Sequence, residues 1–449
     1  MEKAFYIIMI FFCLSNLSFS QGEFVIQNKK ESDKIRFKLI HNLIIIPVEI
    51  NGVELSFILD TGVSKPIIFN FLNITDTLSI KDTEKIFLRG LGEGEPIEAL
   101  KSKNNIIKVG DAINLNQDLY AIFDSKLNFA PKLGVPIHGI IGYDLFKDFV
   151  VEINYSSKYI KLTNYKRYTY KNCNKCESLN LEFYNNKPYL YANVKIRNKV
   201  SPVKLLIDTG GSDALWLFED KDLGLTSNEY YFNDFLGHGL SGSVYGKRSK
   251  VEEFSIKSFK LKNANVAFPD STSIILAKQF KGRNGSLAGN ILKRFNMIVD
   301  YRKARITLKK SKYFKNIFNY NKSGIELEHN GTRIVKERAE GKVANLVSDK
   351  NLNGVSNSKV VLNTNYKFSI KPAYTIVELR QGSPAHKAGL MIGDIIISIN
   401  NKESHNFSLQ EVVHMFFDEE GKRIKLKIDR NGQFLIFKFK LESLFKKKP

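Results

Sequence analysis

Ser56–Ser64 reads Ser-Phe-Ile-Leu-Asp-Thr-Gly-Val-Ser, and Lys204–Ser212 reads Lys-Leu-Leu-Ile-Asp-Thr-Gly-Gly-Ser. This recurrence limits the possible folds more than any other feature, because self-similarity at a fixed period means that one supersecondary unit is built twice. Asp60 and Asp208 are 148 residues apart. Two further landmarks keep nearly the same spacing. Ile140-Ile141-Gly142, followed by Asn154-Tyr155, returns as Leu287-Ala288-Gly289, followed by Asp300-Tyr301, with 147 residues between the glycines and 146 between the tyrosines. The sequence therefore holds two copies of one domain, roughly residues 35–165 and 180–310.

Both copies read as strands. Leu43–Ile50 and Leu190–Ile196 are β-branched and apolar. Asn51-Gly52 is a strong hairpin signal between the first of these and Leu55–Leu59; in the second copy Asn198–Pro202 is expected to replace that turn. A short helix near Leu145 or Leu292 and a last strand near Ile160 or Ile306 complete each copy. Residues 166–179 read as a linker, and a Lys- and Asn-rich connection follows around Lys309–Lys322.

The sequence also suggests a chemistry. An apolar strand running into Asp-Thr-Gly sets a carboxylate at the end of a buried element, with Gly allowing the tight turn beneath it. Two such ends related by a pseudo-twofold axis bring their carboxylates together. Like charges that close cannot both ionise, so the pair holds one proton and acts as acid and base toward a shared water. That water attacks a peptide carbonyl without help from a metal or cofactor. The pair titrates as a unit.

On these motifs, residues 35–310 resemble retropepsin-like aspartic proteases with two lobes fused in one polypeptide, for which a monomer suffices. The resemblance implies Asp60 and Asp208 as catalytic residues, supported by Thr61, Gly62, Thr209 and Gly210, with the threonines bonding across the pseudo-dyad. It also implies flap hairpins at Gly90, Gly92 and Gly94 and at Gly237, Gly239 and Gly242. The residue after Asp-Thr-Gly departs from the family's usual Ala or Ser, being Val63 in one lobe and Gly211 in the other. Val63 is expected to crowd the loop under Asp60.

The last third differs. Gly382-Ser383-Pro384-Ala385 and Gly393-Asp394-Ile395-Ile396, ending at Asn400-Asn401, imply a turn, a one-turn helix and a strand. This stretch resembles a bacterial-type PDZ domain over residues 323–445, with the polar residues 337–371 expected as an inserted surface loop. Such domains add a ligand peptide or C-terminus as a strand at a sheet edge, a terminal carboxylate sitting among backbone amides, and Gly324, Ile325, Glu326 and Leu327 are the candidate loop and strand; the alternative is a PDZ domain that packs on the protease lobes and binds nothing. Glu326 departs from the usual loop in a way that disfavours an anionic terminus. The expected fold class is mostly β: two pseudo-twofold-related retropepsin-like lobes plus a small α+β PDZ domain.

Composition narrows the setting. Lys and Arg number 68 against 46 Asp and Glu, a net +22. The charge is mostly Lys, spread along the sequence without an Arg stripe, and reads as a solvated surface and not as a nucleic-acid site. Residues 1–20 have the layout of a secretory signal, with Lys3, an apolar run and small residues before Gln21. The run is too short to be retained as a membrane span, and Ile10-Phe11-Phe12 before Cys13 fits a lipid-attachment site poorly. The protein is thus expected to be exported, periplasmic or secreted. Cys173 and Cys176 suit a local disulfide in that setting; they would make only half of a zinc site. His138 and His238 read as loop residues, Trp216 as core, and Tyr155 and Tyr301 as strand-end packing. Two functions follow from the sequence: an exported endopeptidase acting on polypeptides positioned by the PDZ domain, or a peptide-binding scaffold of the same fold with little or no turnover.

Overall fold

The computed structural model describes residues 22–70, 78–124, 127–350 and 356–445; residues 1–20, read above as a secretory signal, lie outside them. The protein divides into two compact units, one ending at Asn319 and the other made of Tyr320 onward together with the short stretch Phe129–Val135.

In the first lobe, β1 (Leu43–Ile50) and β2 (Val53–Leu59) form the hairpin over Asn51-Gly52. Asn51 (φ 49°) and Gly52 (φ 91°) take the left-handed conformations such a two-residue turn demands. Next come β3 (Thr83–Leu88), β4 (Ile97–Val109) and β5 (Ala112–Ile122), the one-turn helix α1 (Ala130–Leu133), and β6 (Gly139–Ile141) lying parallel to β2. Helix α2 (Tyr143–Asp148), β7 (Phe149–Asn154) and β8 (Tyr159–Asn164) close the lobe.

The second lobe repeats this order. It runs through β9 (Cys176–Asn180), β10 (Lys187–Ile196), β11 (Lys199–Asp208) and β12 (Leu215–Leu217). The long strands β13 (Phe232–Gly239), β14 (Gly242–Ile256) and β15 (Phe259–Pro269) follow. Strand β16 (Gly285–Ala288), helix α3 (Gly289–Leu292), β17 (Phe295–Asp300) and β18 (Arg305–Lys310) end it. Strand β16 lies parallel to β11, as β6 does to β2.

The lobes are joined by one antiparallel sheet, in which β7 of the first pairs with β17 of the second through Val151↔Val299 and Ile153↔Met297. The apolar faces of both lobes meet in a continuous core that includes Phe57, Leu145, Val151, Leu205, Met297 and Leu308. Full burial of a side chain of this kind contributes roughly 1.5–3 kcal/mol.

Three boundary readings need correction. The second lobe's first turn is Arg197-Asn198, both left-handed, with Ile196 paired to Lys199; Pro202 stands inside β11 opposite Asn193 and not in the turn. The end of the supposed linker is strand β9, whose Leu179 is buried opposite Ile306; Cys176 at its start is disulfide-bonded to Cys173 just before it. The Lys-rich connection is anchored too, because Phe318 is buried in the lobe core beneath the Arg294 guanidinium, 3.6 Å over its ring.

The PDZ unit begins with β19 (Ile325–Lys350) and β20 (Ser356–Leu379), an antiparallel pair. The polar stretch read as an inserted surface loop is therefore a long hairpin. Its Asn, Ser and Lys content suggested a loop, but Tyr366, Phe368 and Ile370 alternate with Lys367, Ser369 and Lys371, the period-2 signal of a strand, with the apolar members exposed. Helix α4 (Pro384–Lys387), β21 (Ile395–Ile399), helix α5 (Leu409–Met415), β22 (Arg423–Arg430) and β23 (Gln433–Lys440) follow, in sheet order β19-β20-β21-β22-β23. Ser408 and Glu411 form a reciprocal capping box that starts α5. The buried Asp394 accepts two bonds from Arg430, at 2.7 and 2.8 Å, and one from the Met391 amide at 2.9 Å.

Candidate active site

Strands β2 and β11 deliver Asp60 and Asp208 to the floor of a cleft between the lobes. Each is held from behind by a parallel strand. The Asp60 amide donates to the Ile141 carbonyl at 2.8 Å, and Asp208 stands opposite Ala288. The apolar-apolar-Gly motif owes its Gly to this backing: a Cβ at Gly142 would lie 1.8 Å from the Asp60 carbonyl oxygen, and one at Gly289 would lie 2.5 Å from that of Asn42.

The threonines cross-link the two turns. The Thr61 amide donates to the Thr209 hydroxyl at 3.0 Å, and the Thr209 amide to the Thr61 hydroxyl at 3.1 Å. Each hydroxyl in turn donates to the opposite strand, Thr61 to the Ile207 carbonyl at 2.6 Å and Thr209 to that of Leu59 at 2.7 Å. Both threonines are fully buried, so all four bonds are shielded from competing water. The point where a Cβ would stand on Gly62 is 3.0 Å from Asp60 Oδ1 and 3.7 Å from Asp208 Oδ1, so the carboxylates share one small space. The Gly62 amide donates to Asp60 Oδ1 at 2.6 Å.

Burial, reinforced by the Asp208 charge, raises Asp60 to about 7, against the pull of the Gly62 and Gly210 amides and of Lys187. Burial also raises Asp208, opposed first by Arg283 and then by Lys187 and the Gly211 and Gly210 amides. Both carboxyls thus favour protonation more than ordinary aspartates do, as expected of a pair sharing a proton.

Lys187 and Arg283 were not singled out in the sequence. Lys187 opens β10 where the first lobe has Leu43: Tyr189 pairs with Leu206 as Ile45 pairs with Ile58, and Lys187 and Leu43 each stand two residues earlier. A cation replacing an apolar residue at a repeat-equivalent position was the available signal. Arg283 precedes β16, donating to the Gly285 carbonyl at 3.1 Å and to Ser286 Oγ at 2.8 Å.

The loops meet above the floor. Gly94 N donates to the Ser241 carbonyl (2.6 Å), Ser241 N to that of Leu91 (2.9 Å), and Gly90 N to Ser241 Oγ (3.0 Å). Glycine is required where the backbones touch, since a Cβ on Gly92 would lie 2.6 Å from the Ser241 backbone and one on Gly239 2.2 Å from the Leu91 oxygen. Gly90, Gly92, Gly94, Gly239 and Gly242 therefore gather at the two tips. Gly237 sits apart, at the irregularity of β13 beyond Phe235. Sequence reasoning missed Glu93, whose carboxylate accepts from the Thr272 and Ser273 hydroxyls and ties the first tip to the second lobe.

Val63 finds room against Gly142, whose missing side chain would lie 3.0 Å from Val63 Cγ2. Trp216 is half-buried, packed beside Leu236, Val244 and Ala267, and donates to Asp213 at 2.7 Å. Tyr155 and Tyr301 are buried core residues. His138 accepts from the Ser56 amide at 3.1 Å, and His238 lies 3.2 Å from Ser243 Oγ. In the PDZ unit, Gly324 is left-handed (φ 83°), the Ile325 and Leu327 side chains point into the core from the edge strand β19, and the Ile325 backbone is held by its own loop, its amide donating to Ser323 Oγ at 3.0 Å and its carbonyl accepting from Asn321 Nδ2 at 2.6 Å.

Two fused β lobes with paired Asp-Thr-Gly turns, followed by a PDZ fold, define an aspartyl-protease-type molecule with a C-terminal PDZ module. Comparison with protein families agrees: residues 46–145 match the aspartyl protease family and residues 375–430 the PDZ domain family. The protein thus has an aspartyl protease domain and a PDZ domain. No curated protein matches it.

Proposed function

We propose that this protein is an exported aspartic endopeptidase that hydrolyses peptide bonds with a water activated between Asp60 and Asp208, its PDZ domain positioning polypeptide substrates. The reading rests on the reciprocal Thr61–Thr209 bonding that fixes both carboxylates on one space. With one proton between them, the ionised carboxyl takes a proton from the water as it attacks. The protonated carboxyl stabilises the developing oxyanion and later supplies a proton to the leaving nitrogen. The paired tips above the floor keep solvent from the reacting bond, and their opening admits a polypeptide. Lys3, the apolar run and the small residues before Gln21 support export. No helix among the described residues is long and apolar enough to cross a membrane.

The test is cleavage of a denatured protein from acid to neutral pH by the mature enzyme and by Asp60→Asn and Asp208→Asn. Cleavage by the wild type alone, declining as pH rises past about 7, supports the reading. Identical behaviour of all three proteins excludes it and leaves the scaffold function.

A further inference from the structure

The short stretch Phe129–Val135 belongs to the PDZ unit although the sequence reaches it between β5 and β6 of the first lobe. Its helix α1 packs on β19, the edge strand of the PDZ sheet, and such an edge is where a PDZ domain adds a peptide. It also reaches α5, the helix that flanks that edge, because a Cβ at Gly134 would lie 3.0 Å from Leu409 Cβ. Burial lowers the hold of Lys132 on its proton, and the carboxylates of Glu328, at 3.8 Å, Glu326 and Glu378 oppose that effect.

Beside this stretch the groove continues as a cavity of about 360 Å³, bordered by Gly134, His329, Thr332, Tyr374, Ser408 and Leu409. The Nε2 of His329 is buried there without a hydrogen-bond partner. An acidic edge is a poor receptor for a terminal carboxylate and a good one for an internal segment bearing a lysine.

We propose that the PDZ groove is a site for internal, lysine-bearing peptide segments, and that the protein's own Phe129–Val135 is its resident occupant, so that an outside peptide binds only by displacing it. Release of that segment would also be felt in the protease domain. Only Pro136, Ile137 and His138 separate it from β6, whose Ile141 carbonyl holds the Asp60 amide.

With an effective concentration of about 1 mM for the tethered segment and a groove affinity of about 0.1 mM, self-occupancy weakens an added peptide about tenfold. The probe is a fluorescein-labelled, amide-capped peptide with the sequence of residues 127–136, Leu-Asn-Phe-Ala-Pro-Lys-Leu-Gly-Val-Pro. Its binding is read by anisotropy to the full mature protein in an Asp208→Asn background, which prevents hydrolysis. Binding is compared with Lys132→Glu and with a second variant in which residues 129–135 are replaced by seven Gly and Ser residues. Binding about ten times tighter to either variant supports the proposal. Equal affinity for all three proteins, or no binding to any, overturns it. This readout does not depend on turnover, so a protein without protease activity leaves the inference open to proof or refutation.

Discussion

Replacing Asp60 by Asn should stabilise the protein at alkaline pH and leave it nearly unchanged in acid. Folding raises Asp60 from 3.8 to about 7, first by burial and then by the charge of Asp208. At pH below both values the carboxyl is protonated whether folded or not, and contributes nothing to pH dependence. As pH climbs past the lower value the unfolded state releases its proton first, so the native state binds more protons and stability falls until about pH 7, then levels off. A rise of about three units at about 1.4 kcal/mol per unit sets an upper limit of about 4 kcal/mol. The cleft is partly open and the two carboxyls share the effect, so about 2 kcal/mol is expected. Asn has no charge to lose and keeps an oxygen for the Gly62 amide, which donates to Oδ1. Trp216, the single tryptophan, lies in β12 of the second lobe and reports urea unfolding by fluorescence. Asp60→Asn should exceed the wild type by about 2 kcal/mol at pH 8 and match it near pH 4. A difference independent of pH, or a variant weaker at pH 8, refutes the idea that the carboxyls are forced together against their charge.

Thr209→Val preserves shape but strips the Thr61 amide and the Leu59 carbonyl of their buried partners. It should cost about 2–4 kcal/mol in urea unfolding and lower cleavage at least about tenfold, as misplacement at a reacting centre does. Lys187→Met removes a cation that holds both carboxyls down; the decline of cleavage at the upper end of the pH profile should move to higher pH, and an unmoved profile rejects that role. Asp394→Asn leaves Arg430 without its counterion and should cost about 2–3 kcal/mol. Hydrogen exchange should detect that loss in β21 and β22 and not in β7 or β17.

Much of this was legible because the repeat held it. A strand ending in Asp-Thr-Gly is ambiguous once, but recurrence with the second motif at nearly one spacing fixes which strand backs which carboxylate. Gly142, Gly210 and Gly289 of those motifs are explained by contacts under 3 Å that only a missing Cβ permits. Features without a repeat signature were harder to read. Glu93 acts through hydroxyls some 180 residues away, a pairing that no local pattern encodes. The β19–β20 hairpin is rich in Asn, Ser and Lys, which drew attention away from the alternating Tyr366, Phe368 and Ile370, exposed on β20. Phe129–Val135 belongs by sequence to the first lobe, and only the packing of α1 on β19 reveals its other association.

Fusion of two lobes in one polypeptide removes the constraint that both halves of the site be identical, and this sequence has used that freedom on one side only. Lys187 and Arg283 both come from the second lobe, where the first has Leu43 and, at the spacing of Gly142 and Gly289, Pro136. Lys187 acts on both carboxyls, whereas Arg283 acts on Asp208 and leads the influences that oppose its protonation. Both influences come from the second lobe and favour ionisation of the pair. Neither cation is free of cost: burial lowers the affinity of Lys187 for its proton, and the charge of Arg283 lowers it further. Holding two cations in that position is unfavourable unless an anionic group lies nearby, and the ionised member of the pair is that group. A symmetric pair would meet the same field from each lobe; here the cations of one lobe supply it.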